Sequence, residues 1–226
     1  MTRSSRIPAA LRRCTITGAI AGALALAFAG SSTAATQNDQ TQFSVNPGSL
    51  AFSSAPAMPT LSAVTLNGAA QTTNTTMTDF GVRDSTGSGS GWNVTVNGNS
   101  NTGKSAVFAQ YCPNATCGTD SGPGYVTSGL TLPADSLLLT STGASFSGQG
   151  GSSGTAPTLQ CGSGCNVDHA TAVKVASAAT NAGEGTWATS GWGGTSLALS
   201  TPSTLKALQT NEVYRVDLVW TLSSGP

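Results

Sequence analysis

The stretch Val213-Tyr214-Arg215-Val216-Asp217-Leu218-Val219-Trp220-Thr221-Leu222 alternates with a period of two. Tyr214, Val216, Leu218, Trp220 and Leu222 fall on one side, and Val213, Arg215, Asp217, Val219 and Thr221 on the other, because successive side chains of a strand point to opposite faces. A clean apolar side against a mixed one marks a half-buried antiparallel strand. The segment Gly91-Trp92-Asn93-Val94-Thr95-Val96-Asn97-Gly98 repeats the pattern, with Trp92, Val94 and Val96 opposite Asn93, Thr95 and Asn97.

Working outward from these two, strand-like runs alternate with turn-formers along the whole chain. Strands are predicted at 43–45, 49–52, 62–66, 78–82, 92–96, 106–110, 136–140, 172–176, 196–199 and 213–222. Between them lie Asn67-Gly68, the Gly-rich 85–91 and Asn97-Gly98, residue pairs and clusters that favour tight turns. The stretch 142–157, with Gly143, Gly148, Gly150, Gly151 and Gly154, reads as one long mobile loop. No long helical period interrupts the series, and no internal repeat is visible. The reading is an all-β, antiparallel, sandwich-like single domain with long Gly/Ser-rich loops.

The first residues differ in kind. Arg3, Arg6, Arg12 and Arg13 precede an apolar run over 16–29, which ends in Ser32-Thr33-Ala34-Ala35. A basic start, a short apolar core and a small-residue exit make a secretory signal, and the run is too short to span a bilayer comfortably. The expected organisation is a signal peptide, 1–35, cleaved after Ala34 or Ala35, and a β domain, 36–226. An uncleaved anchor is the alternative. Cys14 stands before the apolar run, the wrong place for a lipidated cysteine.

The chain carries nine Lys and Arg against nine Asp and Glu. Removing the four leader arginines leaves five basic and nine acidic side chains, a formal charge of −4. A basic stripe is missing, which argues against nucleic acid as a partner. No second apolar stretch is long enough for a membrane span after cleavage. The expected location is outside the cell.

Four cysteines remain in the mature part, as the local pairs Cys112 and Cys117 and Cys161 and Cys165. In an oxidising compartment they read as two local disulfides, although spacing alone leaves the crossed pairings open. A four-thiolate zinc site is the sharper alternative, but neither spacing is the usual two-residue knuckle. No metal and no cofactor is expected.

The two tryptophan strands also carry a resemblance. The segment 82–96, with Asp84 and a Gly-rich turn leading into Trp92-Asn93-Val94, resembles the first motif of the WxL-domain cell-surface proteins. The segment 214–226, with Trp220-Thr221-Leu222 close to its end, resembles their C-terminal motif. The two occur in the right order and span most of the mature chain. Val94 stands where the family pattern has Leu, which with the cysteine pairs suggests a divergent branch. The resemblance implies non-covalent attachment to the bacterial cell wall, with peptidoglycan or another wall glycan as ligand, and other surface proteins as further partners.

The motif residues Trp92, Val94, Trp220 and Leu222 admit two readings. They lie on the apolar side of their strands, so they can be core residues that identify the fold; alternatively they meet the ligand. Trp187 and Trp192, in the Gly- and Thr-rich GTWATSGWGG, are the better surface candidates for stacking on sugar rings, unless that loop folds its indoles inward.

Catalytic chemistry is thin. Ser136, His169 and Asp135 can be drawn as a triad, but no nucleophile elbow supports them, and His169 reads as a solvent-facing loop residue. Glu184 and Glu212, the only glutamates, can be drawn as a hydrolytic pair. Residues 85–91 lack the lysine of a phosphate loop, and Asp84 suits a turn cap better than a calcium ligand. Leu132-Pro133-Ala134-Asp135-Ser136 starts like a sortase signal but lacks the Thr-Gly and the apolar tail. The expectation is a non-catalytic wall-binding or surface-assembly protein. A coat protein binding other surface proteins or itself is the alternative, and a secreted hydrolase comes third.

Overall fold

The computed structural model describes residues 39–226. The predicted signal peptide, 1–35, lies outside the described residues. The described chain contains strands and no helix: β1 Leu50–Ser54, β2 Gln71–Thr75, β3 Gly81–Asp84, β4 Trp92–Gly98, β5 Ala109–Cys112, β6 Thr116–Cys117, β7 Asp120–Ser121, β8 Gly124–Tyr125 and β9 Leu137–Leu139. They continue with β10 Ser145–Gln149, β11 Thr158–Leu159, β12 Cys165–Asn166, β13 Val173–Ala178, β14 Gly185–Ser190, β15 Leu197–Thr201, β16 Val213–Arg215 and β17 Leu218–Ser224. All strands lie in the compact unit Val45–Pro226, and every pairing is antiparallel.

Two four-stranded sheets form the sandwich. One runs β1-β3-β14-β10 and the other β17-β4-β13-β11. Their edges meet on both sides, β1 beside β17 and β10 beside β11, so the strand orders run in parallel across the two layers. The space between is filled by aromatic rings. Trp92 meets Phe146 edge-on at 5.9 Å, Phe146 meets Phe80 at 5.8 Å, and Phe80 tilts against Trp220 at 6.0 Å. Such offset and edge contacts suit the ring quadrupoles. A third sheet, β12-β9-β15-β2, adds Leu137, Leu139, Leu197 and Leu199 to the same core. A small sheet, β16-β5-β8, and the β6-β7 hairpin complete the unit.

The alternation read from the sequence is realised in β4. Trp92, Val94 and Val96 are fully buried, and Asn93, Thr95 and Asn97 are half-buried on the other face. Each buried valine contributes about 1.5–3 kcal/mol relative to exposure. The segment 213–222, by contrast, is two strands. It breaks at Asp217, whose backbone N–H donates to Ser105 (2.9 Å) and whose carbonyl accepts from Asn99 (2.7 Å) instead of joining a ladder. There the chain leaves the small sheet, where β16 pairs β5, and enters the sandwich, where β17 pairs β4. The apolar side survives the break: Tyr214, Val216, Leu218, Trp220 and Leu222 all pack against the core.

Other expectations need correcting. Residues 43–45 and 62–66 join no ladder, and the strand predicted at 78–82 begins only at Gly81. The stretch 142–157 is not one loop. Its Ser145–Gln149 pairs with β14 along five residues, with Phe146 buried in the core. The cysteines form the two local disulfides, Cys112–Cys117 and Cys161–Cys165, so no thiolate tetrad exists.

Candidate functional site

The two tryptophan motifs, far apart in sequence, are hydrogen-bonded neighbours. In the β17–β4 ladder Trp220 stands opposite Val96, Leu222 opposite Val94, and Ser224 opposite Trp92. Trp92, Val94, Trp220 and Leu222 therefore share one face, and that face is the interior one. Trp92 is wholly enclosed, and its Nε1 donates to the carbonyl of Gly183 at 3.1 Å. Trp220 is half-buried against Phe80. Gly183 has φ +70, and a Cβ there would stand 2.7 Å from the Trp92 Nε1. Only glycine lets the backbone close over the indole this tightly. The outer face of the same two strands is polar and nearly uncharged, with Asn93, Thr95 and Asn97 beside Ser223, Thr221 and Val219. It is tied at one end by Asn93 Nδ2 donating to the Gly225 carbonyl at 2.8 Å.

Trp187 and Trp192 do not form an exposed stacking platform. The segment that looked like a loop is β14, with Trp187 and Thr189 pointing inward. Trp187 is 5% exposed, and its Nε1 donates to the Glu184 carbonyl. Trp192 is half-buried, tilted against Phe80 at 6.5 Å, with its Nε1 donating to Thr189 Oγ1. The reason is local: glycine, threonine and serine leave little apolar alternation to read, yet the large indoles are buried by packing.

The drawn catalytic groups have other employment. Ser136 Oγ donates to the Pro133 carbonyl at 2.7 Å, while His169, half-buried, faces Asp135 at 3.7 Å. The residue that organises this corner is Asp168, which the sequence did not single out. It is fully buried and accepts the backbone N–H groups of Ser136 and Leu137 at 2.9 and 2.8 Å. Burial pushes its carboxyl above the ordinary range, against the pull of those two donors. Asp84 caps the Gly-rich turn by accepting from the Thr86 backbone and hydroxyl. Glu184 is exposed, and the carboxyl facing Glu212 is instead that of Asp120.

Two polar clusters emerge only in three dimensions. In the first, Gln110 Nε2 donates to Glu212 at 2.8 Å, Gln209 Nε2 donates to Asp120 at 2.9 Å, and the Gln209 backbone donates to Glu212. The adjacent Glu212 carboxyl holds the Asp120 carboxyl above its ordinary range, and Glu212 Oε1 is buried with no hydrogen-bond partner. In the second, Asp217 accepts from the Tyr125 hydroxyl and from Arg215, both at 2.7 Å, with Lys104 at 3.9 Å. Arg215 lies 4.5 Å over the Tyr111 ring, which meets Tyr125 edge-on. Burial and the Asp217 carboxylate push the Tyr125 hydroxyl well up, so it stays protonated and donating.

Two open concavities of about 400 Å³ and 390 Å³ lie on the surface. The first is bounded by the 130–133 and 202–206 loops and Tyr214; the second opens beside β10 and β11, over Phe146. Among the described residues no group of three His, Cys, Asp or Glu side chains is placed to hold a metal ion, and no helix is long and apolar enough to cross a membrane. Compared with known proteins, the chain matches no family model, no curated protein and no solved structure.

Proposed function

We propose that this is a secreted, non-catalytic protein of the WxL type that holds to the bacterial cell wall without a covalent bond, peptidoglycan being the ligand. The supporting observation is the meeting of the two motif segments as adjacent strands, in register, with their four characteristic side chains on one interior face. Two segments that resemble the two halves of one family pattern have a common structural purpose here: together they build the wall of the core. On this reading the motif identifies the fold, and the ligand is held by another surface. Sedimenting the mature protein with purified peptidoglycan tests the proposal. Co-pelleting that soluble peptidoglycan fragments reverse is the expected result. A protein that stays in the supernatant while co-purifying with other surface proteins overturns it.

A second reading is favoured by a specific edge. The strand β2, Gln-Thr-Thr-Asn-Thr, is the outermost of its sheet and carries neither charge nor proline. Unguarded edges of this kind are templates for strand addition, as a surface assembly of like subunits would use. Sedimentation velocity of the wild type and of Thr73→Lys decides it: concentration-dependent association that the lysine abolishes supports assembly, and a monomer at all concentrations removes it.

A further inference from the structure

The larger concavity has a chemistry that names its occupant. It lies between the loop 130–133, which leads into β9, and the loop 202–206, which follows β15, and has a volume of about 400 Å³. That is within the range of sites for small ligands. Its surface is apolar where Leu130, Leu205, Pro133, Pro202 and the Tyr214 ring meet. The two prolines present no N–H. Among the described residues, the only charged side chain lining it is Lys206, which is exposed and makes no ion pair with any of them.

The loops that form the groove are fixed in place. The Leu132 N–H donates to Phe108 and the Gln110 N–H to Leu130, both at 2.8 Å, while the Leu205 N–H donates to Pro202 at 3.0 Å. The Tyr214 hydroxyl donates to the Lys206 carbonyl at 3.1 Å, which ties the cation's own loop to the small sheet. A ligand entering here finds a surface already shaped, so little ordering cost opposes binding.

We infer that this groove holds a short apolar peptide with a free carboxylate, its small side chains against the leucines and prolines and its carboxylate at Lys206. The inference rests on the wall-binding reading for where such a peptide comes from, since wall peptides end in carboxylates. A sugar ring fits the lining less well. Neighbouring sugar hydroxyls are gripped best by planar amide and carboxylate side chains, and among the described residues this lining supplies neither. It supplies the hydroxyls of Thr131, Thr204 and Tyr214, the last already donating to the Lys206 carbonyl, with one ammonium and apolar surface. An ammonium without a competing carboxylate selects an anion, and a charge-assisted hydrogen bond to it is the strong kind.

The test uses the mature protein, isotope-labelled, with acetyl-Ala-Ala carrying a free carboxylate and with the same dipeptide as its C-terminal amide. The acid is expected to shift backbone amides of 130–132 and 203–206 and to bind more tightly than the amide. Lys206→Gln is expected to weaken the acid roughly fivefold and to leave the amide unchanged, because the charge is exposed. Equal binding of acid and amide, shifts confined to other residues, or no shift with either overturns the inference. Peptidoglycan pelleting separates the two readings. A protein that binds the acid in the groove but does not pellet keeps the groove and loses the wall. One that pellets with no dipeptide response does the reverse.

Discussion

Leu222 on β17 stands directly opposite Val94 on β4, and both point into the space between the two sheets. This aliphatic pair is flanked on the same face by Trp220 opposite Val96 and by Trp92 opposite Ser224. Close cross-strand pairs are the unit by which a sheet is stabilised. The motif residues therefore act on stability before they act on anything else, and their variants must be read that way.

Trp92→Ala is expected to cost about 3–5 kcal/mol, the range for an enclosed aromatic removed from a core. It also orphans the Gly183 carbonyl that the indole N–H now satisfies. Trp220→Ala, half-buried against Phe80, is expected to cost less, about 2 kcal/mol, and to leave a folded protein. Urea unfolding followed by circular dichroism measures both. Equal costs at the two sites refute the packing account. Loss of wall binding by a fully stable Trp220→Ala points to a direct contact instead.

Gly183→Ala tests the closure over Trp92. The new methyl would have to adopt a left-handed backbone and would stand 2.4 Å from the Ala178 Cβ and 2.7 Å from the indole nitrogen. Strain of this sort costs on the order of 1–3 kcal/mol before any repacking. Gly87→Ala is the control: it has a similar φ of +64 but open space around the added atom, so it carries only the backbone part. A loss at Gly183 no larger than at Gly87 shows that the indole contact is not tight.

Much of the fold was legible because burial here follows a period of two. In β4 and the 213–222 segment the large apolar residues recur at every second position, and the interior face follows directly. The break at Asp217 was not legible. Its cause is a set of long-range bonds, from Ser105 and Asn99 to the backbone and from Tyr125 and Lys104 to the carboxylate, none of which local alternation encodes. The strands β10 and β14 were missed for another reason. In Ser-Phe-Ser-Gly-Gln and Gly-Thr-Trp-Ala-Thr-Ser the inward positions include threonine, glycine and a single aromatic, so pairing and not hydrophobic pattern defines them. The same limit explains the misplaced Trp187. Neither polar cluster was visible, because Asp120 and Glu212, like Tyr125 and Asp217, approach only when distant loops close.

The Asp120–Glu212 pair gives a pH dependence of definite sign. The hydrogen bond with Glu212, then burial, then the Glu212 charge raise the Asp120 carboxyl above its ordinary value of 3.8. The folded state then binds the proton more tightly than the unfolded chain, so the pair's contribution is full below that value. It is lost as pH rises through the raised one. Asp217 has the opposite sign. Burial would raise it, but the Tyr125 hydroxyl, Arg215 and Lys104 together lower it, so its contribution is present above 3.8 and lost as pH falls through the lowered value. Glu212→Gln replaces the neighbouring carboxyl with an amide that carries no charge at any pH. Relative to wild type, the variant is expected to gain stability steadily from about pH 4 towards pH 7. Parallel unfolding curves for the two proteins across that range refute the influence of Glu212 on Asp120.

The disulfides differ in access, and that difference predicts an order of reduction. Cys112 and Cys117 are both wholly buried, whereas Cys161 is buried and Cys165 half-buried. Thiol–disulfide exchange requires a thiolate to reach a sulfur, so the Cys161–Cys165 bond is expected to open first under mild reductant, with Cys165 alkylated early. Each bond closes a short loop, five and four residues apart in sequence, which limits its chain-entropy contribution to about 2 kcal/mol. Removing either by a double Cys→Ala change is therefore expected to lower stability without abolishing the fold. The Cys112 pair should cost more, because it anchors the β6–β7 hairpin from which Asp120 reaches Gln209. Timed alkylation with mass spectrometry, followed by urea unfolding of each double variant, measures both. Simultaneous opening of the two bonds in the folded protein would show that access does not set the order.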